Sequence, residues 1–447
     1  MTDWNLNIPE KWKWFYESRY GLFIHWGPYS AYGRGEQVMF REHMDPRVYE
    51  KKACQWNPEA YDPRSWARTA KDAGFKYACL TTRHHDGYCL WDSRYTDYTS
   101  ACQAPRRDFV KEFTDAFRAA GLKIGLYYSW LDWRLPAYFE GPEKNPQGWE
   151  RVKKYLHNQV EELLTHYGQI DYFFFDGVWP RNAEDLDSKG LVEKMRKLQP
   201  NILINDRLGY DKKAAAAEND GGMGAGGSLE LGDFGTPERQ IVAQRGRLWE
   251  SCQVSTWRLW GYASGERYKE SDALLDMLCE CAEKGGNLIL NVGPDGEGRF
   301  PPEFARSAAQ VGKWLKVNGE AVYGNDGGSL TEFVTCGYQT LKGNNLYLIF
   351  RFWDGTTELR LVDLTTPVKR VVLQTTGQEL AFDKKGDVLL IKGLPLERPT
   401  DLFPVIRIEC EGRPQTNQWG HERLWEGDPD RVALWARGRG EAVDASK

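Results

Sequence analysis

Histidine and methionine are scarce in this chain of 447 residues, which holds seven His and six Met. Positive charge is not in excess either: 59 Lys and Arg stand against 64 Asp and Glu, a net charge of −5. A surface built to hold a polyanion is therefore excluded, and no nucleic-acid partner is expected. No apolar run reaches the length needed to cross a membrane, so no membrane association is expected. The opening MTDWNLNIPEKWKWFYESRYG lacks the basic start and apolar stretch of a secretory leader. The nine cysteines are scattered, odd in number and form no CxxC pair. That pattern argues against a disulfide framework and a structural zinc site, and the expected location is the reducing cytoplasm. No GxGxxG follows the first apolar run, which argues against a dinucleotide fold.

Aromatic residues are plentiful, with 19 Trp, 22 Tyr and 19 Phe. They build cores, and they also offer flat faces to ligands. Short apolar runs alternate with helical patterns from about residue 20 to 320. The predicted strands are GLFIHWG (21–27), KYACLTT (76–82), KIGLYYS (123–129), IDYFFFDG (170–177), NILIND (201–206) and NLILNVG (287–293). Helices are expected in YDPRSWARTAKDAGF, DFVKEFTDAFRAAG, WERVKKYLHNQVEELLTHYG, GLVEKMRKLQP and SDALLDMLCECAEKGG, where apolar residues recur at helical spacing. Continuously apolar strands alternating with helices imply a parallel sheet covered on both faces. At least six units over some 300 residues favour a (β/α)8-like TIM barrel, assigned to residues 1–324. After Gly324 come short strands such as NNLYLIFRFW, VKRVVLQ and PVIRIEC, parted by Gly, Asp, Thr and Pro. They predict a C-terminal antiparallel β-sandwich over 325–412, followed by a tail, 413–447, of no assigned role.

Barrel enzymes place their chemistry at the C-terminal ends of the strands. Here the runs end in His25 and Trp26, in Arg83, His84, His85 and Asp86, in Tyr127, Tyr128 and Ser129, in Asp176, and in Asn205, Asp206 and Arg207. Their convergence would give a polar, aromatic-walled pocket. On a regular strand two adjacent histidines face opposite ways, so only one of His84 and His85 is expected to point inward. Taken alone, His25 is a core histidine as readily as a ligand. Asp171 and Asp176 bracket one strand, roughly 16 Å apart at 3.3 Å per residue, so only Asp176 sits at the functional end. Behind three phenylalanines, Asp176 reads either as a loop cap or as a nucleophile or base.

Glycoside chemistry needs a second carboxylate. The Gly-rich stretch DKKAAAAENDGGMGAGGSLELGDFGTPERQ, a natural lid, carries Glu218, Glu230, Asp233 and Glu238, and RLWESCQ adds Glu250. Spacing does not choose among them. Two histidines with Asp176 also fit a metal-dependent hydrolase, although no HxH follows the first strand. A lectin-like protein would keep the pocket without the carboxylates.

In order along residues 10–325, GLFIHWGPYS, TTRHHDGYCLWDS, GLYYSWLDW, FFFDG, INDR, GDFGTPE, the WES stretch before WGY, and GGNLILNVGPDGEGRFP resemble glycoside hydrolase family 29, the α-L-fucosidases. The resemblance implies a retaining enzyme that removes terminal α-L-fucose from oligosaccharides or glycoconjugates by double displacement. It needs no cofactor and no metal. It implies Asp176 as nucleophile and Glu238 as acid/base, with Glu250 as second choice. His25, Glu36, His84, His85, Tyr128 and Arg207 match sugar-binding positions, with Asp86 orienting the histidines and Trp26 or Trp179 receiving the C6 methyl. The family commonly has Trp after the glutamate near position 36; this chain has Gln37. That departure keeps α-L-galactosides and other fucose-like sugars as an alternative. Oligomeric state is left open, a homo-oligomer included.

Overall fold

A computed structural model describes residues 8–210, 231–244, 246–328 and 336–416. The chain divides into two compact units. Among the described residues, the larger holds 8–281 and 286–316; the smaller holds 282–285 and those from 317 to 416. The division falls in the last turn of the helix Pro302–Asn318, ahead of the composition change at Gly324.

The larger unit is a (β/α) barrel. Its eight parallel strands are β1 (Tyr20–Ile24), β2 (Tyr77–Arg83), β3 (Lys123–Ser129), β4 (Tyr172–Asp176), β5 (Leu203–Ile204), β6 (Phe234–Gly235), β7 (Leu248–Val254) and β8 (Asn287–Val292). They lie in the order β5-β4-β3-β2-β1-β8-β7-β6. A parallel bridge between Asn205 and Phe234 joins the two edges. Beside it Asp233 accepts from Ile204 N at 2.8 Å and pairs with Arg196. Two strands, β6 and β7, exceed the sequence expectation. β6 is only two residues long and sits at the end of a Gly-rich stretch, and β7 carries Glu250, Ser251 and Gln253 among its apolar residues. Most other strands are buried on both faces, which is why they read as unbroken apolar runs.

Two of the expected helices begin at aspartate caps, while those expected from Trp149 and Gly190 start earlier, at Pro146 and Ser188. Asp62 accepts from Arg64 N at 2.9 Å and Asp108 from Lys111 N at 2.8 Å, capping the helices Pro63–Asp72 and Phe109–Ala119. Alternate strand residues fill the barrel: Phe23, Tyr77, Cys79, Tyr127, Tyr172, Phe174, Leu203, Phe234, Leu248, Cys252 and Ile289 share one core. Phe15 closes its lower end, 5.2 Å from the Phe234 ring and 6.1 Å from that of Tyr172. Asp171 lies at that end too, paired with Lys123 at 2.9 Å.

The smaller unit is an antiparallel sandwich of a five-stranded and a three-stranded sheet. Leu346, Leu348, Leu361, Leu389, Ile391, Ile406 and Ile408 belong to its buried core. The first residues of the tail join it, since Gln415 N donates to Thr366 Oγ1 at 2.8 Å. Residues 417–447 lie outside the described residues, as do 211–230 with Glu218 and Glu230.

Glu250 is the one carboxylate deep inside the barrel among the described residues of that core's strands. It accepts from Tyr77 OH at 2.6 Å and from Tyr172 OH. Burial pushes it up to about 7 from its usual 4.5, and the tyrosine hydroxyls only partly offset this. The folded state therefore keeps this proton to a higher pH than the unfolded chain. Its contribution to stability is full below 4.5 and is lost as pH rises toward about 7. Thermal melts of the wild type and Glu250→Gln are expected to diverge over that window. The variant gains up to about 3 kcal/mol relative to the wild type between the two ends. Parallel pH curves for the two proteins would refute this account.

Candidate active site

A cavity of about 560 Å³ opens at the C-terminal ends of the strands. Phe23, His25, Glu36, Gln37, His84, His85, Tyr127, Phe174, Asp176, Trp179, Arg207, Glu238, Cys252 and Trp260 line it, with Arg41, Arg239, Arg258, Leu259 and Glu266.

Its centre is Arg207. Nη1 donates to Asp176 Oδ1 at 2.7 Å and Nη2 to Glu238 Oε2 at 3.1 Å. Nε is held by Thr236 Oγ1 at 3.1 Å, and Thr236 in turn donates to Asp206 Oδ1 at 3.1 Å. Arg207 is thus anchored by the segment that carries Glu238. Although Glu238 follows a Gly-rich stretch, its backbone forms a parallel bridge with Cys252 of β7, and Cys252 N donates to Pro237 O at 3.0 Å. Phe234, Thr236 and Glu238 alternate upward from the core to the mouth, as β geometry requires.

The two carboxylates sit in opposite electrostatic conditions. Burial pushes Asp176 up, but Arg207, His85 and the Tyr127 hydroxyl, 2.9 Å from Oδ2, hold it below the usual carboxylate range. Burial also pushes Glu238 up. There Arg207 and Arg239 pull back, the charge of Asp176 adds to the rise, and the carboxyl stays above its usual value. Divergent pKa values of this kind are what separate a nucleophile from an acid.

Both histidines of RHHDG line the cavity, contrary to the expectation of one. β2 ends at Arg83, and His84 and His85 lie past it, in a turn closed by Gly87 N donating to His84 O at 3.0 Å. Strand alternation has ceased there. The rings lie 4.1 Å apart. Gly87 is at φ +75°, and a Cβ on it would come 2.4 Å from Asp132 Oδ2, so the turn requires glycine. The Ser129 hydroxyl donates to Leu131 O at 2.8 Å and so accepts from His85 Nδ1 at 2.6 Å. That assigns the proton to Nδ1 and leaves Nε2, 3.9 Å from Asp176 Oδ2, as an acceptor. Likewise the Asn291 amide donates to Trp260 O at 2.7 Å, and its oxygen accepts from His25 Nδ1 at 2.6 Å. Burial drives His25 down to about 3 and His85 to about 4, so both are neutral at pH 7.

Four expected residues lie elsewhere. Tyr128 points outward from β3 and donates to Gln159 Oε1 at 2.8 Å; its neighbour Tyr127 faces the cavity, because side chains alternate along a strand. Trp26 is packed among Trp56, Tyr61, Trp66 and Phe109, with Nε1 donating to Asp295 O at 3.0 Å. Glu250 shares the inward face of β7 with Cys252 but lies two residues deeper, beneath the cavity floor. Asp86 accepts from Tyr49 OH at 2.7 Å and Tyr88 N at 3.3 Å, rather than from either histidine.

His25, Glu36, His84, His85, Trp179 and Arg207 do line the cavity. Glu36 accepts from Gly261 N at 2.8 Å. Gln37 is in the wall, its Oε1 accepting from Arg41 Nε at 3.1 Å. Tyr127, named only among the converging strand ends, lines the cavity in place of Tyr128, and Trp260 is a lining residue that sequence reasoning did not assign. Trp260 lies 5.2 Å from the His25 ring and stands in the WGY motif, which was the available signal. Among the described residues no three His, Cys, Asp or Glu side chains are placed to hold a metal ion.

The sequence profile of a family described as alpha-L-fucosidase matches residues 2–320. The tissue alpha-L-fucosidase of Bos taurus is 28% identical over 424 residues, 88% of each chain. Among solved structures, alpha-L-fucosidase isoenzyme 1 of Paenibacillus thiaminolyticus is 36% identical, with a TM-score of 0.81 over 90% of this chain and 99% of that one. A Bacteroides thetaiotaomicron α-L-fucosidase of family GH29, trapped as a covalent intermediate with 2-fluoro-fucosyl fluoride, is 28% identical, with a TM-score of 0.80 over 91% of this chain and 97% of that one. The family profile spans most of the chain and the fold agrees with these solved structures, and the chain belongs to the α-L-fucosidase family.

Proposed function

We propose that the protein is a retaining α-L-fucosidase whose nucleophile is Asp176 and whose acid/base is Glu238. The observation that carries this reading is the pair of carboxylates on one guanidinium, one held below and the other above the usual range. Asp176 attacks the anomeric carbon while Glu238 protonates the departing glycosidic oxygen. The resulting fucosyl ester cancels the charge on Asp176, which lowers the affinity of Glu238 for its proton. Glu238 then takes a proton from water, and the water oxygen displaces Asp176.

The neutral histidines support sugar recognition. Nε2 of His25 and of His85 accept from hydroxyls, and Glu36 accepts beside them. Phe23, Phe174, Trp179 and Trp260 supply apolar surface for the ring face and the C6 methyl. Tyr127 is a positioning residue, holding Asp176 ionised and aimed. The scattered cysteines support a location in a reducing compartment, the cytoplasm.

Release of 4-nitrophenol from its α-L-fucoside tests the reading. Asp176→Gly is expected to lose at least about a thousandfold in kcat. A variant keeping a tenth of the activity would sink the assignment. Glu238→Ala should slow fucosides with poor leaving groups far more than activated aryl fucosides, whereas equal losses on both would remove Glu238 from the acid role. The pH profile of kcat/KM is expected to be a bell. Its acid limb follows Asp176 ionisation, below the usual carboxylate range, and its alkaline limb follows Glu238 deprotonation, above it. Tyr127→Phe should move the acid limb to higher pH and leave the alkaline limb nearly in place. Chelator is expected to change nothing.

A further inference from the structure

We propose that the mouth of the cavity is a leaving-group subsite for an anionic sugar, formed by Arg41, Arg239 and Arg258; this rests on the α-L-fucosidase reading of the same cavity. The three side chains line the cavity and are exposed. Unlike Arg207, or the surface residues Arg34, Arg107 and Arg196, none lies within ion-pair distance of a carboxylate among the described residues. Their hydrogen bonds are with neutral groups, while Arg239 also acts through space on Glu238, favouring its charged form. Arg41 Nε donates to the Gln37 amide oxygen at 3.1 Å, and Arg239 Nη2 donates to the carbonyl of Arg258. The Arg239 guanidinium lies 5.7 Å from the Trp260 ring. Such contacts aim a cation without neutralising it.

Place in the reaction decides what these cations meet. Glu238 must reach the glycosidic oxygen, and Arg239 is its chain neighbour, fixed by Arg239 N donating to Cys252 O at 2.9 Å. The sugar beyond that oxygen therefore lies against the arginines. The other cavity carboxylates are engaged: Asp176 and Glu238 with Arg207, and Glu36 with Gly261 N. Glu266 accepts from Arg267 N at 2.8 Å and, among the described residues, is the single acid set against three arginines at the mouth. Three like charges around one opening repel each other, and an anion entering it relieves that cost. The anions a glycan carries are carboxylates and sulfate esters, and a guanidinium matches both with two parallel hydrogen bonds.

The test compares kcat/KM on three fucosylated disaccharides of one linkage, with a neutral hexose, its uronic acid and its sulfate ester as leaving group. 4-Nitrophenyl α-L-fucoside serves as reference. The wild type is expected to prefer a charged leaving group by about tenfold, the scale of one charge-assisted contact. The preference should shrink as salt is raised. Arg239→Gln and Arg258→Gln should each bring the charged-to-neutral ratio toward one. Whichever of uronate and sulfate gains more identifies the anion. A wild type that cleaves the aryl fucoside but shows a ratio of one would overturn the subsite. So would a preference that survives both substitutions. Failure to cleave any α-L-fucoside would overturn the underlying activity instead.

Discussion

The buried guanidinium of Arg207 is the constraint on which the site depends. A charge with 4% of its side chain exposed persists only if paired, and here the pairs are two acids that would otherwise repel each other. Three separate segments must come into register to make the contact: the ends of β4 and β5 and the stretch after β6. The same cation has unequal effects on its partners because the remaining donors are unequal. Asp176 also receives Tyr127, while Glu238 meets the charge of Asp176. One residue thereby helps to set two different protonation states in one cavity.

The barrel beneath explains why that arrangement is rigid. Its interior is filled with aromatic rings up to Tyr127 and Phe174, whose planes lie 17° apart. The deep Glu250 is bonded to Tyr77 and Tyr172 within this packing. Above the rings, polar groups fix one another in short chains: Ser129 sets the tautomer of His85, and Asn291 sets that of His25. Outside the cavity, Arg83 donates to Ser129 O at 2.9 Å and pairs with Asp132 at 3.0 Å, which steadies the serine from behind. Recognition by neutral imidazoles follows from this burial, since charging them there is costly.

The sequence by itself determined the alternating strands and helices, the second β unit, and which strand ends carry chemistry. These are local properties, readable from apolar period and residue type. Asp176, His25, His84, His85 and Arg207 were legible because they end apolar runs, and Glu238 and Glu36 because they stand in family motifs. What only the tertiary structure decided was direction and depth. Tyr127 faces the cavity and Tyr128 turns away, because register with β2 and β4 fixes which face of β3 looks inward. Glu250 and Cys252 share one face of β7, yet Cys252 lines the cavity while Glu250 is bonded to Tyr77 and Tyr172 in the core. His84 and His85 both face inward because β2 ends at Arg83, before either of them, so strand alternation does not apply. Strand parity, depth along a barrel and the exact end of a strand depend on neighbours distant in sequence, and a local pattern carries no information about those neighbours.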